Sequence, residues 1–214
     1  MKSALGFLLA AFGLLGFGAL HSFAEEGHKH KHGDHTHDKL SIGDKAPGFT
    51  LKDQNGKDVS LSDYAGKIVV LEWFNESCPF VVKHYRAGHM NNLAAKYAEK
   101  GVVWLRINST HNATPESNAK IAKEWKIQGP ILQDSDGEVG HDYGATNTPH
   151  MFIIDQEGKL VYRGAIDSDS SADTSKIDGA TNYVAKALDE LLAGKPVSQP
   201  ETKAYGCTIK YAKK

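Results

Sequence analysis

Two cysteines, Cys78 and Cys207, are the only sulfhydryls in this 214-residue chain, far short of the density with which small secreted domains staple themselves together. Stability must come from a hydrophobic core. Neither sign of charge prevails, since 25 Lys and Arg stand against 26 Asp and Glu for a formal net charge of −1. That balance gives no broad basic field for nucleic acid and no reason to expect an anionic membrane surface as partner. Internal repeats are absent, and the length fits one ordinary domain with extensions rather than two cores.

Long apolar runs are also missing, with one exception. Lys2 precedes the apolar stretch Leu5–Leu20, which ends on Ser22-Phe23-Ala24, a small-x-small pattern before Glu25-Glu26. Residues 1–24 read as a secretory signal peptide. The run is short, and Gly6, Gly13, Gly16 and Gly18 interrupt it, so an uncleaved membrane anchor is the weaker reading. Export would carry the chain to an oxidising compartment, the periplasm in a two-membraned bacterium, with no membrane association after cleavage. Residues 25–41 follow as a His-rich linker, where His28, His30, His32, His35 and His37 alternate with Lys, Asp, Gly and Thr. Such a segment cannot bury a core and is expected to be disordered. Alternate histidines project the same way in extended chain and could take up Cu²⁺, Ni²⁺ or Zn²⁺, a solvated linker being the competing reading.

The folded domain is expected over 42–195. Gln54-Asn55-Gly56 between two short runs signals a β-hairpin. Lys67–Phe74 (KIVVLEWF) reads as a strand covered on both faces, and Val102–Ile107 as a second. Pro79–Lys100 has helical spacing with a break expected at Gly88. Thr114-Pro115-Glu116 opens another helix. Ile131-Leu132 suggests a short strand, Met151–Asp155 and Leu160–Arg163 a second hairpin, and Tyr183–Leu192 a last amphipathic helix. Strands alternating with helices imply an α/β fold, a mixed sheet flanked by helices with an N-terminal β-hairpin extension. Residues 196–214 form a tail carrying Cys207, read as flexible.

Chemistry concentrates where the strand ending near Phe74 turns into the helix starting at Pro79. Proline at the first helical position puts Cys78 at the N-cap, where free N–H groups and the positive helix end favour a thiolate. The bland reading is a small buried apolar residue. Glu72, six residues earlier in an apolar strand, should have a raised pKa through burial. It is either a proton-transfer group beneath Cys78 or a structural, salt-bridged glutamate.

The stretch Trp73-Phe74-Asn75-Glu76-Ser77-Cys78-Pro79-Phe80-Val81-Val82-Lys83-His84-Tyr85, together with Thr148-Pro149 and Gly206-Cys207-Thr208-Ile209-Lys210-Tyr211, resembles the thioredoxin-like superfamily. Within it, the resemblance is to the redoxin or peroxiredoxin-like, AhpC/TSA-related branch, and it covers roughly Ile42 to Tyr211. It implies a thioredoxin-like fold, thiol redox activity without a bound cofactor, and a protein thiol/disulfide partner or a small peroxide as substrate. It further implies that Thr148 and Pro149 form the cis-proline loop beside the reactive cysteine, with Asn75 completing the substrate-contact set. Departures are visible: Val81 replaces the second cysteine of Cys-x-x-Cys, Leu71 and Asn75 replace the peroxiredoxin proline and threonine, and Pro149 stands where its arginine would be. Cys207 is the candidate resolving cysteine, with a permanent staple and pairing between chains as its alternatives. Disulfide exchange ranks slightly above peroxide reduction. A metal-handling protein resembling the thioredoxin-fold copper chaperones is the runner-up, although Val82 stands where their second cysteine falls. A degenerate redoxin used as a binding module is a third reading.

Overall fold

The computed structural model describes residues 40–213; residues 1–24, read above as a signal peptide, and the His-rich tract with its histidines 28, 30, 32, 35 and 37 lie outside them. A seven-stranded mixed sheet organises the chain. Its central strand, β3 (Val69–Trp73), is buried at every position. Val70 packs on one face among the helices, while Val69, Leu71 and Trp73 pack on the other. This double covering is why the segment reads as an unbroken apolar run. Burying one such side chain contributes about 1.5–3 kcal/mol.

Around β3 the order is β2-β1-β5-β4-β3-β7-β8. β4 (Val103–Asn108) lies parallel to β3, and β5 (Ile131–Gln133) parallel to β4. β7 (His150–Ile154) and β8 (Leu160–Gly164) form the second hairpin, antiparallel on the other side of β3. The first hairpin, β1 (Thr50–Lys52) with β2 (Asp58–Ser60), extends the sheet by pairing β1 against β5.

The expected helix after Cys78 is two helices. α1 (Pro79–Arg86) stops at Ala87, and α2 (His89–Ala98) starts from Gly88 at φ 69°, a left-handed conformation that glycine adopts at little cost. α3 (Pro115–Glu124) is capped by the Thr114 side chain accepting from the Ser117 N–H. α5 (Tyr183–Leu192) has the bounds its amphipathic pattern gives and packs on the same sheet face as α1 and α2. The short α4 (Glu138–Tyr143) has too few residues to show a helical period; Val139 and Tyr143 place it on the opposite face. Asp134 holds its start, accepting from the N–H groups of Val139 (3.1 Å) and Gly140 (2.9 Å).

The tail corrects an expectation. Residues 196–213 lie along the domain: Glu201 bridges to Arg163, Thr202 Oγ1 accepts from the Ala165 N–H (2.9 Å), and Ile209 is buried. Its strand β9 (Cys207–Thr208) pairs antiparallel with β6 (Asn147–Thr148). Turn-rich sequence gave the impression of a loose chain, yet its hydrogen bonds are made to the domain surface. No helix among the described residues is long and apolar enough to cross a membrane.

Candidate functional site

Cys78 is the N-cap of α1 and 1% exposed. The loop before it is shaped by Asn75, whose Oδ1 accepts from the Ser77 N–H (2.7 Å) and whose carbonyl accepts from the Cys78 N–H (3.1 Å). Asn75 Nδ2 in turn donates to Thr110 Oγ1 (3.0 Å). Asn75 is therefore a brace for the turn that presents the thiol, with its polar atoms engaged inside the protein.

Opposite the helix start lies the Thr148–Pro149 peptide bond, which is cis. The thiol of Cys78 donates to the Thr148 carbonyl at 2.9 Å. The register pairs Thr148 with Cys207, so both cysteines converge on Thr148, Cys78 through its thiol and Cys207 through the ladder. Both cysteines are free. Nearly 130 residues of chain separate them in sequence, and the β6–β9 ladder closes that gap.

The two thiols are displaced in opposite directions. Burial pushes Cys78 up, but hydrogen bonds from the side chains of Cys207 and Thr148, and from the backbone of Cys207 and Val81, outweigh it and bring the thiol below its ordinary value. Cys207 is pushed up to about 11 by burial and by its hydrogen bond and charge interaction with Cys78. The arrangement favours charge on Cys78 over charge on Cys207.

Glu72 falls elsewhere. It is fully buried, and its carboxylate accepts from Tyr85 O–H (3.0 and 3.1 Å) and Trp104 Nε1 (2.8 Å), with Arg106 Nε at 3.7 Å. Burial raises its pKa, while Arg106, Trp104 and Tyr85 oppose the rise. Among the described hydrogen bonds none joins it to Cys78, and its partners are those of the structural, salt-bridged reading. A buried charge needs such partners, and β4 supplies two of them.

A second polar cluster was legible only in part. His84 and Lys83 point inward from α1 with fully buried side chains. Lys83 Nζ donates to the carbonyls of Asp169 and Ser171 (2.9 Å each), tying the 168–176 loop to the helix. His84 Nε2 lies 3.2 Å from Tyr205 O–H, and its Nδ1 is 3.2 Å from His89 Nδ1. Tyr205 O–H donates to Asp167 Oδ1 at 2.5 Å. A consistent set of tautomers runs through these contacts, Asn182 to His89 to His84 to Tyr205 to Asp167, with both histidines neutral. Burial holds His84 down at about 3 and lowers His89 as well. Tyr205 thus anchors the tail two residues before Cys207. His84 belongs to the Trp73–Tyr85 stretch that carries the family resemblance; Tyr205 and Asp167 gave no sequence signal. His150 instead accepts from the Thr146 N–H (3.3 Å) beside Phe152. Among the described residues no group of three or more His, Cys, Asp or Glu is placed to hold a metal.

A helix-capping thiol, an X-Pro loop on a neighbouring strand and a mixed sheet between helices define a thioredoxin-like redox protein. The AhpC/TSA family model matches residues 42–163, and the chain belongs to that family. The thiol-disulfide oxidoreductase ResA of Bacillus thuringiensis subsp. konkukian is 32% identical over 124 residues, covering 58% of this chain and 69% of the relative. A candidate peroxiredoxin of Mycobacterium tuberculosis is 31% identical over 139 residues, 58% of this chain and 83% of that one. Among solved structures, a hypothetical protein from Sinorhizobium meliloti superimposes with a TM-score of 0.70 at 27% identity, covering 82% of this chain and 97% of that one. The protein is a redox enzyme of the thiol-disulfide oxidoreductase or peroxiredoxin-like kind.

Proposed function

We propose that the protein is an exported thiol-dependent oxidoreductase in which Cys78 is the nucleophile and Cys207 the resolving thiol, acting on a disulfide or a peroxide. The observation that carries this reading is the convergence of the two cysteines on Thr148, whose carbonyl accepts from the Cys78 thiol and whose register partner is Cys207. Export rests on the leader at residues 1–24 and fits an enzyme whose cycle passes through a disulfide. Its partner is a protein dithiol that returns the enzyme to the reduced state.

With a peroxide ROOH, the Cys78 thiolate attacks the terminal oxygen, the O–O bond breaks, and RO⁻ leaves as ROH with a proton taken up from its surroundings. Cys78 is then a sulfenic acid. Cys207, deprotonated as it attacks, forms the S–S bond and expels hydroxide, which leaves as water. With a disulfide, the thiolate forms a mixed disulfide and expels one thiol; Cys207 then attacks Cys78 and frees the second. Either way the enzyme loses two electrons, and a protein dithiol returns them. Thr148 and Pro149 border the reacting sulfur in this reading, and Asn75 holds the loop behind it.

Mass spectrometry of the reduced protein before and after one equivalent of hydrogen peroxide, or of a small disulfide, tests the cycle. The expected products are a Cys78–Cys207 bond in the unaltered chain and a sulfenate or mixed disulfide on Cys78 in Cys207→Ser. Cys78→Ser should give neither. Finding none of these products with either oxidant overturns the reading.

A further inference from the structure

The backbone edge beside Cys78 is already occupied. β9 lies antiparallel on β6 with Cys207 opposite Thr148 and Thr208 opposite Asn147. Ile209 N–H donates to the Thr146 carbonyl (3.1 Å), and Asn147 Nδ2 donates to the Gly206 carbonyl (3.0 Å). The approach is so close at Gly206, φ 115°, that a Cβ there would collide with the Thr148 carbonyl and lie 3.4 Å from Pro149 Cδ. An extended segment hydrogen-bonded along Asn147–Thr148 and bringing a sulfur to Cys78 is the geometry a bound peptide disulfide would need. The chain makes that complex with itself.

We propose that residues 206–208 are an internal pseudosubstrate, so that the reduced enzyme excludes peptide and protein disulfides and takes a small peroxide as its oxidant. This rests on the thiol cycle above and narrows its substrate class. The segment is clamped on both sides. Before it, Tyr205 is held by Asp167 and His84 and packs its ring on Phe80 at 6.0 Å between centroids. After it, Tyr211 stacks on His141 at 4.2 Å and donates to the Ala145 carbonyl at 2.9 Å. A strand tethered at both ends competes at an effective concentration of about millimolar or higher, which a peptide disulfide at micromolar concentration cannot match. A peroxide needs no backbone edge. It has only to bring one oxygen to Cys78, which a side-chain movement of Cys207 allows while β9 stays paired.

The same geometry orders the return step. A partner thiolate attacks Cys78 of the Cys78–Cys207 bond and expels Cys207 as the leaving thiol. β9 peels away, and the partner's own chain takes the freed edge as a mixed disulfide. Its second thiol then displaces Cys78, forming the partner's disulfide and returning the enzyme to its dithiol.

Gly206→Val in a Cys207→Ser background tests the proposal in the full chain, with Gly206→Ala as the milder variant carrying the same Cβ and circular dichroism to confirm folding. Single-turnover rates of Cys78 are measured with hydrogen peroxide and with a cysteine-containing hexapeptide activated as its thionitrobenzoate disulfide. The ratio of peptide to peroxide rate constants should rise by about tenfold or more when Gly206 is replaced, because the edge is no longer filled. A ratio equal in Cys207→Ser and in either folded Gly206 variant overturns the pseudosubstrate. Cys78 inert to both reagents in every variant overturns the thiol cycle itself, a result distinct from an unchanged ratio.

Discussion

At Cys78 the balance lies between burial, which resists charge, and four hydrogen bonds that favour it. Cys207 contributes most among those donors, so its loss should be felt in the nucleophile. In Cys207→Ala the alkylation rate of Cys78 by iodoacetamide at pH 7 should fall by about tenfold, the worth of one hydrogen bond to a charged group. Cys207→Ser should keep part of the rate, since a hydroxyl also donates. Glu72→Gln should leave the pH profile of Cys78 where it was, because the carboxylate is bonded to Tyr85, Trp104 and Arg106. An alkylation rate unaffected by Cys207→Ala would show that the two thiols do not share a proton.

The elements that matter for the site are the shortest ones. β6 and β9 have two residues each, too few for any period to register, and they are held by side-chain anchors on either side of the ladder. Tyr205 is the anchor nearest the thiol. Tyr205→Phe deprives Asp167 Oδ1 of a donor in a residue whose Oδ2 already lacks a partner. The cost should be about 1–3 kcal/mol in urea unfolding, with slower Cys78–Cys207 bond formation as β9 loosens. Stability and rate both equal to the parent's would mean that the tail is fixed by other contacts.

For the molecule as a whole, the buried titratable groups set how stability responds to acid. Burial holds His84 at about 3 and His150 at about 4, against 6.5 for a free histidine. Their contribution is complete above pH 6.5 and is lost as pH falls toward those values, because the unfolded chain binds protons the folded one refuses. Asp134 acts oppositely. Burial raises it to about 6 from 3.8, so its contribution is present below pH 3.8 and lost as pH rises through 6. His89, also lowered by burial, joins the two histidines, and Glu72, also raised, joins Asp134; the histidine side prevails, and the urea midpoint should fall between pH 6.5 and 4, with part of that fall removed in His84→Gln. A midpoint that climbs across this window would sink the assignment.

The alternation of buried strands and capped helices was readable because it is local: KIVVLEWF, Thr114-Pro115 and the spacing of Tyr183–Leu192 each carry their own period or cap. Cys78 was readable for the same reason, since Pro79 fixes it at a helix start within two residues. Chain order could offer Cys207 as a candidate but had no means of seating it, because a two-residue strand is stabilised by the edge it finds and not by its own sequence. Glu72 shows the same limit from the other side: its burial follows from the strand, while its partners come from α1 and β4. What the sequence determined was the fold and the place of Cys78 at a helix start. Only the tertiary structure decided where Cys207 sits, opposite Thr148 on the edge beside Cys78, since contacts between distant segments depend on register and close backbone approach, and neither is written in any local pattern.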